Sequence, residues 1–187
     1  MTDAVSCGFV TPDGRALVAG TRAGDVVWFD TGTGREQRRV KALGAAVVSI
    51  AIAPDQSCVA LGMINGKTIL VPAGGGPPRT LAGGPGSGVI FGVAFSPDGS
   101  TVASAGDDRT VHLWDVPTGV HVRSWEAHEQ GVTTLVFSPD GKRLATGARL
   151  VRDGVGVRIW SVDDGRMLQE FGPFGIWATG MMFLPDS

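Results

Sequence analysis

Cysteine is scarce. Two residues, Cys7 and Cys58, among 187 supply neither a disulfide framework nor a Cys-rich zinc motif, and they read as reduced, buried thiols. Histidine is nearly as rare, with only His112, His121 and His128. Charge is thin as well. Lys plus Arg (16) does not exceed Asp plus Glu (18), and a net charge of −2 gives no field for gripping a phosphate backbone, so nucleic acid is not an expected partner. No apolar run approaches the roughly 18 residues of a membrane-spanning helix; the longest, near 45–53, is interrupted by Ser49, and no membrane partner is expected. The opening Met1-Thr2-Asp3-Ala4-Val5 lacks the basic and apolar regions of an export signal, which makes a cytoplasmic setting the expectation.

Glycine, by contrast, is abundant. The 29 glycines are roughly twice the ~13 that ordinary usage would give at this length. Spread along the chain, they favour frequent turns over long helices.

The turns recur with a period. An apolar-x-Pro-Asp-Gly motif stands at Val10–Gly14, Phe95–Gly99 and Phe137–Gly141, with degraded copies at Ile52–Gln56 and Phe183–Ser187. The prolines at 12, 54, 97, 139 and 185 are spaced 42, 43, 42 and 46 residues apart. A second landmark, Phe29-Asp30, Val71-Pro72, Trp114-Asp115 and Trp160-Ser161, follows the prolines by 17, 17, 17 and 21 residues, so the last repeat carries four extra residues. The repeats run approximately over 4–44, 45–87, 88–130 and 131–175, and 176–187 begins a fifth.

Each repeat reads as four short strands. In the third, residues 89–95 form strand a, Pro97-Asp98-Gly99 turns the chain, and strands b, c and d follow at 101–105, 110–114 and 120–125. β-Branched and aromatic residues dominate them. Proline presets φ, Asp bonds back to the backbone and Gly takes the left-handed position of the turn. The helix-like stretch 35–43 aligns with strand d of the other repeats and is assigned as a strand.

These residues resemble WD repeats. The resemblance rests on the period near 42, the Ser-Pro-Asp-Gly turn, the run Asp108-x-Thr110-Val111-x-Leu113-Trp114-Asp115 and the Thr-Gly turn after it, and it covers essentially the whole chain. It implies an all-β, β-propeller-type fold: four antiparallel four-stranded blades plus one extra C-terminal strand over residues 176–183. It also implies the hydrogen-bonded network of His, Ser or Thr, Asp and Trp that many blades of the family contain. The third repeat supplies Ser104, Asp108 and Trp114, with Gly86 near the place of the histidine. The fourth supplies His128, Thr146, Asp153 and Trp160, with Asp153 displaced by the insertion. Ala19 and Leu61 take the hydroxyl position in the first two, so only the fourth blade is expected to close the network. At about 1 kcal/mol for each buried hydrogen bond, apolar packing between blades must carry most of the stability.

No catalytic constellation is visible. A Gly-x-Ser-x-Gly elbow is absent, Gly84-Pro85-Gly86-Ser87-Gly88 has neither the Lys nor the helix of a phosphate cradle, and Asp107-Asp108 is explained by turn chemistry. His112 and His121 are expected to approach each other on the face of Trp114. Without further ligands of suitable spacing they read as exposed surface histidines, with no metal and no cofactor.

What remains is binding. In a propeller the b–c turns and d–a loops share one rim, here expected to present Arg22, Asn65, Asp107, Arg149 and Arg152 from b–c turns and His128, Phe174 and Trp177 from d–a loops. Arg and Trp suit contact hot spots. The leading expectation is a non-catalytic scaffold for protein or peptide partners; the alternative is the sensor portion of a larger bacterial signalling enzyme, such as a kinase, whose catalytic domain lies elsewhere. Since closed rings of the family most often have seven blades, or about 300 residues, the chain is expected to form an open arc with apolar ends. Further blades of a longer chain, or self-association, would complete it.

Overall fold

The turn after strand a sets the rhythm of the fold. In the computed structural model, which describes residues 4–41, 43–84, 88–148, 156–172 and 180–184, Ser96 Oγ donates to Asp98 Oδ1 and accepts the Thr101 N–H at 3.0 Å. Asp98 Oδ1 in turn accepts the Ser100 N–H at 3.0 Å, and Gly99 sits at φ 72°. Thr11 with Asp13, and Ser138 with Asp140, build the same turn. In the second repeat Gln56 occupies the glycine position at φ 60°.

Four antiparallel sheets result, each drawn from one repeat and ordered as in the sequence. The first contains β1 (Val5–Val10), β2 (Ala16–Thr21), β3 (Val26–Asp30) and β4 (Glu36–Val40); the second β5 (Val47–Ile52), β6 (Cys58–Met63), β7 (Thr68–Pro72) and the short β8 (Arg79–Thr80). The third contains β9 (Ile90–Phe95), β10 (Thr101–Gly106), β11 (Thr110–Asp115) and β12 (His121–Glu126); the fourth β13 (Val132–Phe137), β14 (Arg143–Ala148), β15 (Val157–Ser161) and β16 (Met167–Phe171). The stretch 35–43 forms β4, the strand its alignment predicted.

The sheets stack through their faces. β1 packs on β5, β5 on β9 and β9 on β13. Because side chains alternate along a strand, β6 turns Val59, Leu61 and Met63 into a core shared with Val18, Val26 and Trp28 of the first blade, while Ala60 enters a second core with Leu70, Ile90, Val102 and Trp114. β10 repeats the pattern: Val102 faces the second blade, and Ala103 and Ala105 join Leu135, Phe137, Leu144 and Trp160 of the fourth. At about 1.5–3 kcal/mol for each large aliphatic side chain buried, these cores outweigh any single polar contact.

Glycine permits the close approach of blades. A Cβ on Gly62 would lie 2.3 Å from Ser49 Oγ and 2.6 Å from Ile90 Cγ2. Two polar links recur with the repeat. Ser6 in β1 and Ser49 in β5, one place apart when the repeats are aligned, donate to the equivalent carbonyls of Val47 and Ile90 in the next blade. Arg38 and Arg79, at equivalent places in β4 and β8, donate to backbone carbonyls of the next blade's c–d turn, Pro72 and Ala73 for the first and Val116 and Pro117 for the second. The fourth blade has Gln169 at that place.

The expected extra strand is corrected in part. Residues 180–184 carry no strand assignment, and 176–179 lie outside the described residues. Met181, Met182, Phe183 and Leu184 instead line a groove of about 450 Å³ with Ala145, Ile159 and Gln169 on the fourth sheet. An isolated strand has no ladder partner to hold it extended. The cysteines also differ from expectation: both are free, but Cys58 is buried and Cys7 only half-buried.

A left-handed non-glycine residue costs about 1–2 kcal/mol, and about 0.5–1 kcal/mol of this is offset in a glycine variant by the greater entropy of its unfolded chain. Gln56→Gly is therefore expected to stabilise the protein by about 0.5 kcal/mol, read as a higher urea midpoint with an unchanged slope.

Candidate functional site

One rim collects the b–c turns and d–a loops. The b–c turn of the first blade is tied to the following loop by the Leu43 N–H on Gly24 O at 3.0 Å; Ile64 N–H bonds Ala46 O at 3.0 Å and Asp107 N–H bonds Val89 O at 3.0 Å. The a–b and c–d turns meet on the opposite rim through Thr31 to Arg15, Ala73 to Ser57, Val116 to Ser100 and Val162 to Lys142. With the Arg22 N–H on Ala4 O at 3.0 Å, the candidate contact surface thus stands on a backbone bond that recurs in the first three repeats.

Its side chains differ from blade to blade. Arg22 and Asp107 are exposed and Asn65 is half-buried. Asp107 is partly engaged, since its Oδ2 accepts the Val89 N–H at 3.0 Å, and Asn65 Oδ1 accepts the Lys67 N–H at 3.4 Å. Arg149, Arg152, Phe174 and Trp177 lie outside the described residues. Ile64, 51% exposed, was missed. It is the residue ten places after its repeat's proline, as Arg22 and Asp107 are after theirs, so strict alignment would have selected it in place of Asn65.

His128 is not a rim contact. It is 3% exposed, and its Nε2 lies 2.8 Å from Thr146 Oγ1, which also accepts the Trp160 Nε1–H at 2.8 Å. His128, Thr146 and Trp160 thereby join the d–a loop, β14 and β15 in a buried chain; Asp153 lies outside the described residues. Burial, and then the charge of Arg158, push the His128 imidazole down to about 4.

In the third blade the corresponding residues do not bond one another. Trp114 Nε1–H donates to Ala82 O at 3.0 Å, Ser104 Oγ receives the Thr68 hydroxyl at 3.1 Å from the second blade, and Asp108 Oδ2 lies 2.7 Å from His112 Nε2. Each group has taken another partner because no imidazole bridges Ser104 to Asp108; Gly86 is outside the described residues. The loop comes close enough to serve Trp114 because Gly84 has no side chain: a Cβ there would be 3.0 Å from the indole.

The reading of His112 as a surface residue is also corrected. It is 6% exposed, stacked on Trp114 at 5.6 Å and 29°, because strand c lies inside the blade. His121, half-buried on β12, meets it as expected, with His112 Nδ1 and His121 Nε2 3.4 Å apart. Burial, and then the neighbouring His112, lower the His121 pKa. The partners of this row are Asp108 and the two imidazoles themselves, with no serine, threonine or cysteine nucleophile engaged. Burial pushes the thiols of Cys7 and Cys58 up, which disfavours the nucleophilic thiolate. Among the described residues no group of three or more His, Cys, Asp or Glu converges, and no helix is long and apolar enough to cross a membrane.

Stacked four-stranded sheets joined in this order make an arc of a β-propeller, and WD repeats are matched at two positions of the chain. The family described as WD domain, G-beta repeat matches residues 75–115 and 119–155. An uncharacterised WD repeat-containing protein of Synechocystis is 29% identical over 140 residues, 74% of this chain and 40% of that protein. Protein groucho of Drosophila melanogaster is 35% identical over 103 residues, 49% of this chain and 14% of that one. A chain in the crystal structure of the mitotic checkpoint complex superposes with a TM-score of 0.80 at 21% identity, over 91% of this chain and 51% of that chain. This chain therefore spans less than half of these two relatives and about half of the superposed chain.

The buried histidine makes stability depend on pH. His128 ordinarily titrates near 6.5 but is held to about 4 in the fold, so the unfolded chain binds the extra proton first on acidification. The stabilisation is complete above pH 6.5 and is lost as pH falls toward 4, at about 1.4 kcal/mol for each unit in that window. Urea titrations from pH 7.5 to 4 should show this slope, and His128→Gln should flatten it to the smaller contribution of His121.

Proposed function

We propose that the chain is a non-catalytic interaction module that binds protein or peptide partners through the b–c and d–a rim. The observation that carries this reading is the equivalent position in successive b–c turns. It offers a cation at Arg22, an exposed aliphatic group at Ile64 and an anion at Asp107 on one rigid frame. Mixed chemistry at fixed spacing suits recognition of a polypeptide, and Arg beside an exposed apolar group is a usual anchor of such contacts. Family membership supports the reading, since WD-repeat proteins are generally interaction scaffolds. A cytoplasmic setting is part of the proposal.

Peptides selected on the purified chain from a random library should lose at least tenfold in affinity on Arg22→Glu or Ile64→Asp. A change on the opposite rim, Lys142→Glu, should leave binding intact. Peptides that bind all three variants equally would refute the assignment of the rim.

The ends of the arc are proposed to be covered by further blades, in the same polypeptide or in a second copy. Val5, Phe9 and Val10 of β1 are 61%, 58% and 48% exposed, and Met182 and Leu184 at the other end are 80% and 67% exposed. Apolar faces of this kind favour association. Sedimentation of the 187-residue chain should show mass rising with concentration, reduced by Phe9→Glu; a monodisperse, thermally stable monomer would overturn the proposal.

A further inference from the structure

The third blade carries two histidines that the propeller itself does not require. The residues equivalent to His112 in the other repeats are Val27, Ile69 and Arg158, and those equivalent to His121 in the first and fourth are Glu36 and Met167. The pair is therefore particular to this blade. Antiparallel pairing sets Trp114 opposite His121, and the bulge between Leu113 and Trp114 brings both imidazoles to one face of the sheet, over the Trp114 indole.

The arrangement has the features of a metal site. Asp108 Oδ2, 2.7 Å from His112 Nε2, holds a proton on that nitrogen and leaves the Nδ1 lone pair directed at His121. A carboxylate on the outer nitrogen is the usual partner of a metal-binding histidine, fixing its tautomer and raising its basicity. The facing nitrogens are 3.4 Å apart. That exceeds the about 2.7–3.2 Å of ordinary N–H hydrogen bonds, and it matches the roughly 3.3–3.4 Å that separates two nitrogens on a tetrahedral zinc with bonds of about 2.0–2.1 Å. The two rings are tilted by 54° at a centroid distance of 5.5 Å rather than stacked, so each can aim a lone pair at a common point. Gly83 passes His121 with space for no side chain, since a Cβ there would be 3.1 Å from the His121 Cβ. His121 itself is half-exposed to solvent.

We propose that His112 and His121 form a two-imidazole site for a zinc ion, with Asp108 orienting His112 and water completing the tetrahedron. Imidazole suits zinc among the common divalent ions, and with two solvent positions the ion remains exchangeable. Bound there, it would link β11 to the outer strand β12. The two ligands stand on β11 and β12 and only the orienting Asp108 reaches the b–c turn, so failure of the site would leave the interaction reading standing.

The full chain, stripped with chelator, would be titrated with zinc chloride while imidazole nitrogen shifts are followed by NMR. The His112 and His121 signals should move together and saturate, the buried His128 signals should not, and the melting temperature should rise with zinc and return on chelation. His121→Ala and His121→Gln, at a half-exposed position, should abolish both effects, and Asp108→Asn should weaken binding about tenfold. Imidazole signals unmoved by millimolar zinc would overturn the proposal. So would zinc binding that survives unchanged in both His121 variants, which would place the ion elsewhere, for instance on Cys7 or Cys58.

Discussion

Everything in this protein depends on sheets that are apolar on both faces. A half-buried sheet needs only one covering layer, but β6 directs Val59, Leu61 and Met63 one way and Ala60 the other, so the second blade requires a neighbour on each side. The third blade is in the same position through Val102 on one face and Ala103 and Ala105 on the other. No blade can bury its apolar surface alone, which is the common logic of repeat architectures. The arc follows from this requirement, and so do the exposed apolar groups at its ends.

Polar chemistry is arranged around that constraint. Hydroxyl and guanidinium groups reach across the blade interfaces to backbone carbonyls, as Ser6, Ser49, Arg38 and Arg79 do. They fix the rotation of one blade on the next at small energetic gain, because each replaces a bond to water. The His128–Thr146–Trp160 chain does the same within the fourth blade and commits a histidine to its neutral state. The third blade has a different solution, in which its loop backbone serves Trp114 and its carboxylate turns to His112.

Much of the fold was legible because turn chemistry is local. Pro-Asp-Gly triplets at fixed intervals declare where strands a and b meet, and the phase of Trp114 and its equivalents declares strand c. The c–d turns that follow are held by Asp30 and Asp115, each accepting backbone and hydroxyl hydrogens of the Thr three residues on. The site was legible only in part. Exposure of Arg22 and Asp107 follows from their place in short turns, whereas the burial of His112 and His128 depends on which neighbouring segment covers them. Isolated sequence patterns carry no record of that cover.

The amino-acid sequence by itself determined the repeat, the four-stranded unit, the positions of the turns and the approach of His112 to His121, because all of these arise from contacts within one repeat of about 42 residues. Only the tertiary structure decided which polar groups pair across blades, that Ser104 bonds Thr68 rather than Trp114, that residues 180–184 carry no strand and line a groove on the fourth sheet, and that His112 and His128 are buried. The physical reason is the range of the interactions. A turn is stabilised by residues two to five positions apart, but a hydrogen bond between blades depends on a distance of closest approach set by packed side chains far away in sequence.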